Sequence, residues 1–241
     1  DKNYHYNKMV ECRDREIKLI QIFEDEWSIK NKQKIVKSKI KYLLHQIKKE
    51  KRLNARDCYI KEITKEKANI FLEKNHIQGK TNSSIINLGL FDKNKKLKSV
   101  MSFSKKRKCL NQTNNEFEFE LVRFCSKVFY TINGAFGKLF KYFTKNYKFK
   151  NIVTYADRRW GEGTVYLNSG FIFSHSTKPN YWYVKQDRNR YHRFNFRKQK
   201  LKELFPDLYD ENLTEFQIMD KTKYSRLWDC GNNVYYFNNE L

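Results

Sequence analysis

Glycine, proline and cysteine are all scarce in this chain, which has 8, 2 and 5 of them among 241 residues. The cysteines are scattered and form no C-x-x-C pair, which argues against both a disulfide framework and a zinc module. No apolar run approaches the about 20 residues needed to span a bilayer, and no secretory signal peptide is recognised. The sequence therefore predicts a soluble, intracellular protein with no membrane partner. Because the first residue is Asp1, we expect a processed chain or a piece of a longer one.

Acidic residues are also few. There are 27 Asp and Glu against 50 Lys and Arg, so the formal net charge is +23. Such an excess along the whole chain is typical of a protein that binds a polyanion, and nucleic acid is the first candidate. A lysine-rich, AT-biased coding sequence would explain many lysines but hardly their excess over acids. With 39% hydrophobic and 16% aromatic residues, the chain can bury the core of one large domain with appendages.

The few glycines cluster between residues 121 and 170, where the pattern reads strand, glycine turn, helix, strand, glycine turn, short helix, strand. The first turn opens an amphipathic helix that we expect to bury Leu139, Phe140 and Phe143. Free backbone N–H groups at a helix start favour an anion, although a plain β-to-α connection is the alternative. The candidate cofactor-binding residues are Asn133, Gly134, Gly137 and Lys138.

This order of elements resembles the GNAT acyltransferase fold, in which the glycine turn holds the pyrophosphate of coenzyme A. The string from Tyr166 to Gly170-Phe171 is similar to the Y-x-x-x-GF element of that family. The resemblance implies an α+β fold with a GNAT-like mixed sheet and flanking helices, and acetyl-CoA as the cofactor.

Three polar residues converge by topology in this part of the chain. His76 lies in the loop NHIQG, Arg123 in the strand LVRFC, and Asp157 at the end of IVTYAD. An arginine and an aspartate in apolar strands are costly unless they are paired or used, so a buried Arg123–Asp157 pair and an active site are both open. The three strings resemble the Mom-type enzymes, GNAT-like proteins that modify adenine in DNA. That resemblance implies that His76, Arg123 and Asp157 belong to an active site.

Residues 1–27 predict a helix followed by a buried strand over Ile17–Phe23 and an acidic turn. The strings YHYNK and FEDEW, with RLWDCGN near the end of the chain, resemble the C-terminal part of phage homing endonucleases that carry a Vsr-like nuclease domain. The resemblance implies a Mg²⁺-dependent parent nuclease, with His5 and Asp25 as remnants of its site and an infected bacterial cytoplasm as its location. The main metal-binding residues of that family lie upstream of this string, so we do not expect the chain to cleave DNA alone.

Two segments concentrate the positive charge. Residues 28–56 carry 11 Lys and Arg against one acid on a predicted amphipathic helix, and residues 185–203 carry eight against two acids, interleaved with aromatic residues. A solvated cationic face is the alternative to a DNA-binding one in both. The candidate contacts to double-stranded DNA are Lys34, Lys37, Lys41, Lys105, Arg107, Arg188, Arg190, Arg193, Arg197 and Lys198.

These observations predict four segments: a nuclease remnant (1–27), a basic linker helix (28–57), a GNAT-like domain (58–184) and a basic aromatic extension (185–241). Alternation and turn residues predict β-hairpins over 86–103, 171–185 and 224–237, and Thr214 with Gln217 predicts a capping box. The leading hypothesis is a DNA-binding protein of the homing-endonuclease type. The competing hypothesis is an acyl-CoA-dependent, Mom-like adenine-modifying transferase, and the third is a structural nucleoprotein component.

Overall fold

The computed structural model describes residues 1–105 and 119–239. The α-helices found there are Tyr4–Asp14 (α1), Glu24–Ser28 (α2), Lys30–Leu43 (α3), Lys65–Asn75 (α4), Ala135–Asn146 (α5), Thr164–Leu167 (α6), Lys198–Leu204 (α7) and Glu215–Asp220 (α8). The β-strands are Arg52–Asn54 (β1), Tyr59–Glu62 (β2), Ser84–Phe91 (β3), Leu97–Lys105 (β4), Phe119–Ser126 (β5), Thr131–Asn133 (β6), Asn151–Asp157 (β7), Ile172–Ser176 (β8), Tyr181–Val184 (β9), Arg190–His192 (β10), Ser225–Trp228 (β11) and Asn232–Asn238 (β12).

The chain forms two compact units, each of which combines separate stretches of sequence. The small unit contains Asp1–Asp25, Asp157–Gly161 and Ser176–Asn232. The large unit contains Glu26–Ala156, Glu162–His175 and Asn233–Leu241. The division into four consecutive segments stays a prediction.

A seven-stranded mixed sheet forms the centre of the large unit, in the order β2-β3-β4-β5-β7-β12-β8. The pairs β2–β3, β3–β4 and β4–β5 are antiparallel, and β5 pairs in parallel with β7. The predicted hairpin of β3 and β4 is confirmed. Its turn is held by the Asp92 carboxylate, which accepts hydrogen bonds from the backbone N–H groups of Asn94 and Lys96 at 3.0 and 2.8 Å.

Helices cover both faces of this sheet. On one face α5 buries Leu139, Phe140 and Phe143, as predicted, and the Phe143 ring stacks on Phe103 of β4 with centroids 3.7 Å apart. On the other face α4 packs Leu72 among residues around Val100. The Thr64 hydroxyl caps α4 by accepting from the N–H of Lys67 at 3.3 Å. The predicted α+β fold class, a mixed sheet with flanking helices, is confirmed.

The small unit has its own sheet, β10-β9-β11, and a separate core around Tyr183, Leu201 and Met219. The predicted capping box of α8 is present. The Thr214 hydroxyl accepts from the N–H of Gln217 at 3.3 Å, and the Gln217 side chain accepts from the N–H of Thr214 at 2.9 Å.

The predicted strand over Ile17–Phe23 is wrong, because the segment joins no sheet and has no regular secondary structure. An apolar run forms a strand only where a neighbouring strand is in reach, and Ile17 remains 55% exposed. Phe23 is buried instead between two guanidinium groups, with Arg159 at 4.0 Å and Arg190 at 4.2 Å from its ring centroid. The predicted acidic turn after it is the short helix α2.

Neither the predicted hairpin over 171–185 nor the one over 224–237 forms. Strand β8 pairs with β12, whereas β9 pairs with β10 and β11, so each of the two turns joins strands of different sheets. The turns bind each other: the Asp229 carboxylate accepts from the N–H of Asn180, and the Asp229 N–H donates to the Asn180 carbonyl, both at 2.8 Å.

The two cationic segments are less regular than predicted. The helix expected over 28–56 ends at Leu43, and it buries Ile35 and Val36 while Leu44 lies outside it and exposed. Residues 185–203 comprise β10, the 3₁₀ turn Arg193–Phe196 and most of α7.

Candidate functional site

A shallow pocket of about 660 Å³ opens at the start of α5 in the large unit. It is lined by Asn54, Ala55, Arg56, Asn133, Gly134, Gly137, Lys138 and Lys141. All four candidate cofactor residues therefore lie on one pocket. Strands β1 and β6 pair in parallel so that Asn54 and Asn133 are register partners at its edge. Gly134 has a φ of 74°, a left-handed conformation that turns the chain from β6 into the helix.

The chemistry of this pocket suits an anion. The first turn of α5 presents N–H groups without intrahelical acceptors, and no side chain caps them. Arg56 and Lys141 are exposed and line the pocket, which contains no carboxylate. Lys138 also lines the pocket, and its ammonium donates to the carbonyls of Ala55, at 2.9 Å, and of Cys58.

His76 and Arg123 are brought together in the large unit, as predicted. Arg123 projects from β5 and donates from Nε to the carbonyl of Gly79, in the loop that follows His76, at 3.4 Å. Burial of the imidazole lowers the pKa of His76 well below 6.5, and the charges of Arg123 and Lys39 lower it further. The Nδ1 atom of His76 accepts from the N–H of Gln78 at 3.2 Å, so the neutral ring carries its proton on Nε2.

Asp157, the third predicted residue, lies in the small unit at the end of β7. Its carboxylate binds the guanidinium of Arg159 through contacts of 2.6, 3.1 and 3.2 Å. Arg159 is 5% exposed and Asp157 is 22% exposed, so the guanidinium of this ion pair is buried and the carboxylate is partly exposed. Of the two alternatives for Asp157, pairing is therefore observed, but the partner is Arg159 rather than the expected Arg123.

The profile of the Mom protein family matches residues 57–226, which is well over half of the chain. The chain belongs to the Mom protein family. This finding supports the Mom-like hypothesis and lends nothing to the homing-endonuclease one. No curated protein sequence matches the chain. A crystal structure described as a "putative phosphinothricin N-acetyltransferase" is similar at a TM-score of 0.34 and 10% identity, over 75% of this chain and 98% of that one.

The two proposed nuclease residues of this Mom-family chain have local partners in the small unit. The ring of His5 contacts Phe23 edge-on at 6.0 Å, and burial lowers the pKa of the imidazole. Asp25 is buried and pairs with Arg190 at 2.5 Å. Among residues 1–105 and 119–239, no group of three or more His, Cys, Asp or Glu side chains could hold a metal ion. The described part of the chain also has no helix long and apolar enough to cross a membrane.

The predicted DNA-binding lysines and arginines differ in whether they pair with an acidic residue. Exposed cations on α3 and at the end of β4 are Lys34, Lys37, Lys41 and Lys105. Arg107 lies outside the described residues. Two arginines pair with acids, Arg188 with Glu24 at 2.5 Å and Arg190 with Asp25, and Lys198 donates to the carbonyl of Glu211. By contrast, neither Arg193 nor Arg197 pairs with an acid in the described part of the chain.

Sequence reasoning missed four residues that shape these sites. Arg159 follows YAD by two positions, and that spacing could have identified it as the partner of Asp157. Arg56 and Lys141 line the pocket from segments distant in sequence, and Lys39 of α3 acts on His76. Such tertiary proximities leave no local signal.

Proposed function

We propose that this protein is an acyl-CoA-dependent transferase that modifies adenine in double-stranded DNA. The observation that carries the proposal is the α5 pocket, which unites the candidate residues Asn133, Gly134 and Gly137 within the part matched by the Mom family. The modification of adenine in DNA comes from the resemblance to Mom-type enzymes, and acetyl-CoA is the proposed donor.

The residues of the pocket fit the pyrophosphate of coenzyme A. A helix start with uncapped N–H groups and two exposed cations provides donors for phosphate oxygens without a competing carboxylate. Gly137 leaves room for close approach, because a Cβ atom built there would meet nothing within 4 Å. When bound, acetyl-CoA supplies an acetyl group activated as a thioester.

His76 is proposed as a hydrogen-bond donor rather than a base. With Nδ1 already accepting from Gln78, the neutral ring has only its Nε2–H to offer to a ligand. Together with the Arg123 guanidinium, this proton would stabilise negative charge that develops on a carbonyl oxygen during acyl transfer. The lowered pKa of His76 keeps the ring in this neutral tautomer at pH 7.

The first test measures cofactor binding as a rise in melting temperature with acetyl-CoA. A ligand at 100 times its dissociation constant adds about 2.7 kcal/mol to the free energy of unfolding. Lys141→Glu should abolish the rise. Lys145→Glu, an exposed position one helical turn further along α5 and outside the pocket, should leave it intact. An equal effect of the two substitutions would remove the pocket from the proposal.

The second test measures the reaction itself. Duplex DNA is incubated with the protein and acetyl-CoA, digested to nucleosides, and searched by mass spectrometry for modified adenosine. His76→Gln places an amide N–H close to the position of Nε2–H and should retain part of the activity, whereas His76→Asn and Arg123→Ala should lose it. Activity in His76→Asn that exceeds His76→Gln would contradict the donor role. Plasmid nicking with Mg²⁺, sensitive to His5→Ala, would point to the nuclease hypothesis instead.

A further inference from the structure

The basic aromatic segment of the small unit contains one exposed aromatic ring between two arginines. Phe194 is 45% exposed. The guanidinium carbon of Arg197 lies 4.4 Å from its ring centroid, and that of Arg193 lies 5.3 Å away. Both arginines are without an acidic partner in the described part of the chain, unlike Arg188 and Arg190 nearby in sequence. The Nε of Arg193 is buried and has no hydrogen-bond partner among the described residues.

The backbone that presents Phe194 is fixed by its surroundings. Phe194 lies in the 3₁₀ turn Arg193–Phe196, whose last residue is buried with its ring 4.9 Å from Tyr183. At the start of the turn, Nδ1 of His192 accepts from the N–H of Phe194 at 3.3 Å, and the two rings meet edge-on at 4.8 Å. Phe196 therefore anchors the turn while Phe194 faces solvent, so little conformational entropy remains to be lost when a ligand stacks on the ring.

We propose that Phe194, with Arg193 and Arg197, is a stacking platform for an unpaired nucleobase of DNA. Both guanidinium groups lie over the ring in the free protein, and a base takes the ring face when an arginine side chain turns from the ring to an adjacent phosphate. In an intact duplex the base faces are covered by their neighbours, so the platform selects a base that is unstacked or single-stranded. This inference rests on the proposed function in that DNA is the partner, and it adds where and how an unpaired base is held.

The small unit offers a matched control for this platform. Phe216 is similarly exposed, at 42%, and an arginine, Arg226, lies over its ring at 3.2 Å. That arginine pairs with Asp220 at 2.5 Å, so the site has the same ring beside a cation that already has an acidic partner. Phe216→Ala thus removes an equivalent exposed ring without touching the proposed platform.

The test is fluorescence anisotropy of the full chain with three labelled DNAs: a single-stranded oligonucleotide, the same strand with abasic sites in place of its bases, and the duplex. Wild-type protein should bind the base-bearing strand more tightly than the abasic one. Phe194→Ala should weaken binding of the base-bearing strand by about 5-fold to about 100-fold, the range expected when one base no longer stacks on an aromatic ring, and leave the abasic strand unchanged. Phe216→Ala should change neither. Far-UV circular dichroism and melting curves confirm that the variants are folded.

The arginines are tested through salt dependence. Arg193→Ala and Arg197→Ala should each reduce the slope of log K against log salt for the single strand by about 0.7, because each removes one phosphate contact. Equal affinity for the abasic and base-bearing strands, or equal behaviour of the Phe194 and Phe216 variants, would overturn the platform while leaving the proposed function intact. No binding of any DNA by the wild type would overturn both.

Discussion

The lowered pKa of His76 should make the stability of the protein depend on pH. The pKa of this residue is lowered in the folded protein, so the folded state resists the proton that the unfolded chain accepts below pH 6.5. The contribution of His76 to the free energy of unfolding should therefore be fully present above pH 6.5. It should decrease as the pH falls from there towards the pKa of His76 in the folded protein. At about pH 5.5 the loss from this residue is at most about 1.4 kcal/mol.

Urea unfolding of wild type and His76→Gln at several pH values checks this expectation. The variant lacks a titrating ring, so its stability should fall less steeply between about pH 7 and about pH 5.5. His5 and His192 also have lowered pKa values, but both are present in the two proteins and cancel in the difference. Parallel curves for the two proteins would contradict the buried, neutral state of His76.

The ion pair between Asp157 and Arg159 should contribute to the stability of the folded protein. Asp157→Asn removes the carboxylate that contacts the buried Arg159 guanidinium at 2.6 Å, which should lower the free energy of unfolding by about 1.5–3 kcal/mol. Combining it with Arg159→Met, which removes the charge, should restore most of the loss. Thermal melting of the two variants measures this, and an undestabilised Asp157→Asn protein would contradict a stabilising role of the pair.

At the scale of elements, the sequence was informative wherever the determining interaction is local. The caps of α4 and α8, the Asp92 turn, and the inward face of α5 all follow from residues a few positions apart. The exchange of partners among β8, β9, β11 and β12 could not be predicted this way. The turns around Asn180 and Asp229 carry ordinary hairpin signals, and the long-range hydrogen bonds that join the two turns leave no mark in those signals.

In the candidate site, too, the features set by local sequence were predictable and those set by long-range contacts were not. The glycine turn before α5 predicted its four pocket residues because a helix start is a local feature. The hydrogen bonds of Lys138 are not local, because its ammonium donates to carbonyls of the segment around Ala55. The loop position of His76 and the strand position of Arg123 were similarly readable, and the spacing of two residues between Asp157 and Arg159 also carries a local signal of their pairing.

Helix α5 provides a prediction at this scale that separates stability from binding. Gly137 is helical and exposed, and a Cβ atom added there meets nothing within 4 Å. Gly137→Ala should therefore stabilise the protein by about 0.5–1 kcal/mol, because alanine loses less backbone entropy in a helix. The same methyl group projects at the pocket and should weaken acetyl-CoA binding, which isothermal titration calorimetry would show as a larger Kd. A more stable variant with unchanged affinity would place the cofactor elsewhere.

At the scale of the whole molecule, the charge of +23 predicts a DNA affinity dominated by counterion release. For six to ten phosphate contacts, duplex affinity should fall by about 10³-fold to about 10⁵-fold between 50 and 200 mM salt. The exposed lysines of α3 are the best placed of the predicted contacts in the large unit, since none of Lys34, Lys37 and Lys41 pairs with an acid among the described residues.

Replacing these three lysines by alanine should lower the salt slope for duplex DNA by about 2.7, at about 0.9 for each phosphate that is no longer neutralised. Arg188→Ala serves as the control, because Arg188 is exposed but already paired with Glu24, so its removal should leave the slope nearly unchanged. Anisotropy titrations over a range of salt concentrations measure both slopes. If the triple variant had the same salt slope as the wild type, the lysines of α3 would not contact phosphates. A shallow slope in the wild type would mean that the net charge serves some purpose other than holding DNA.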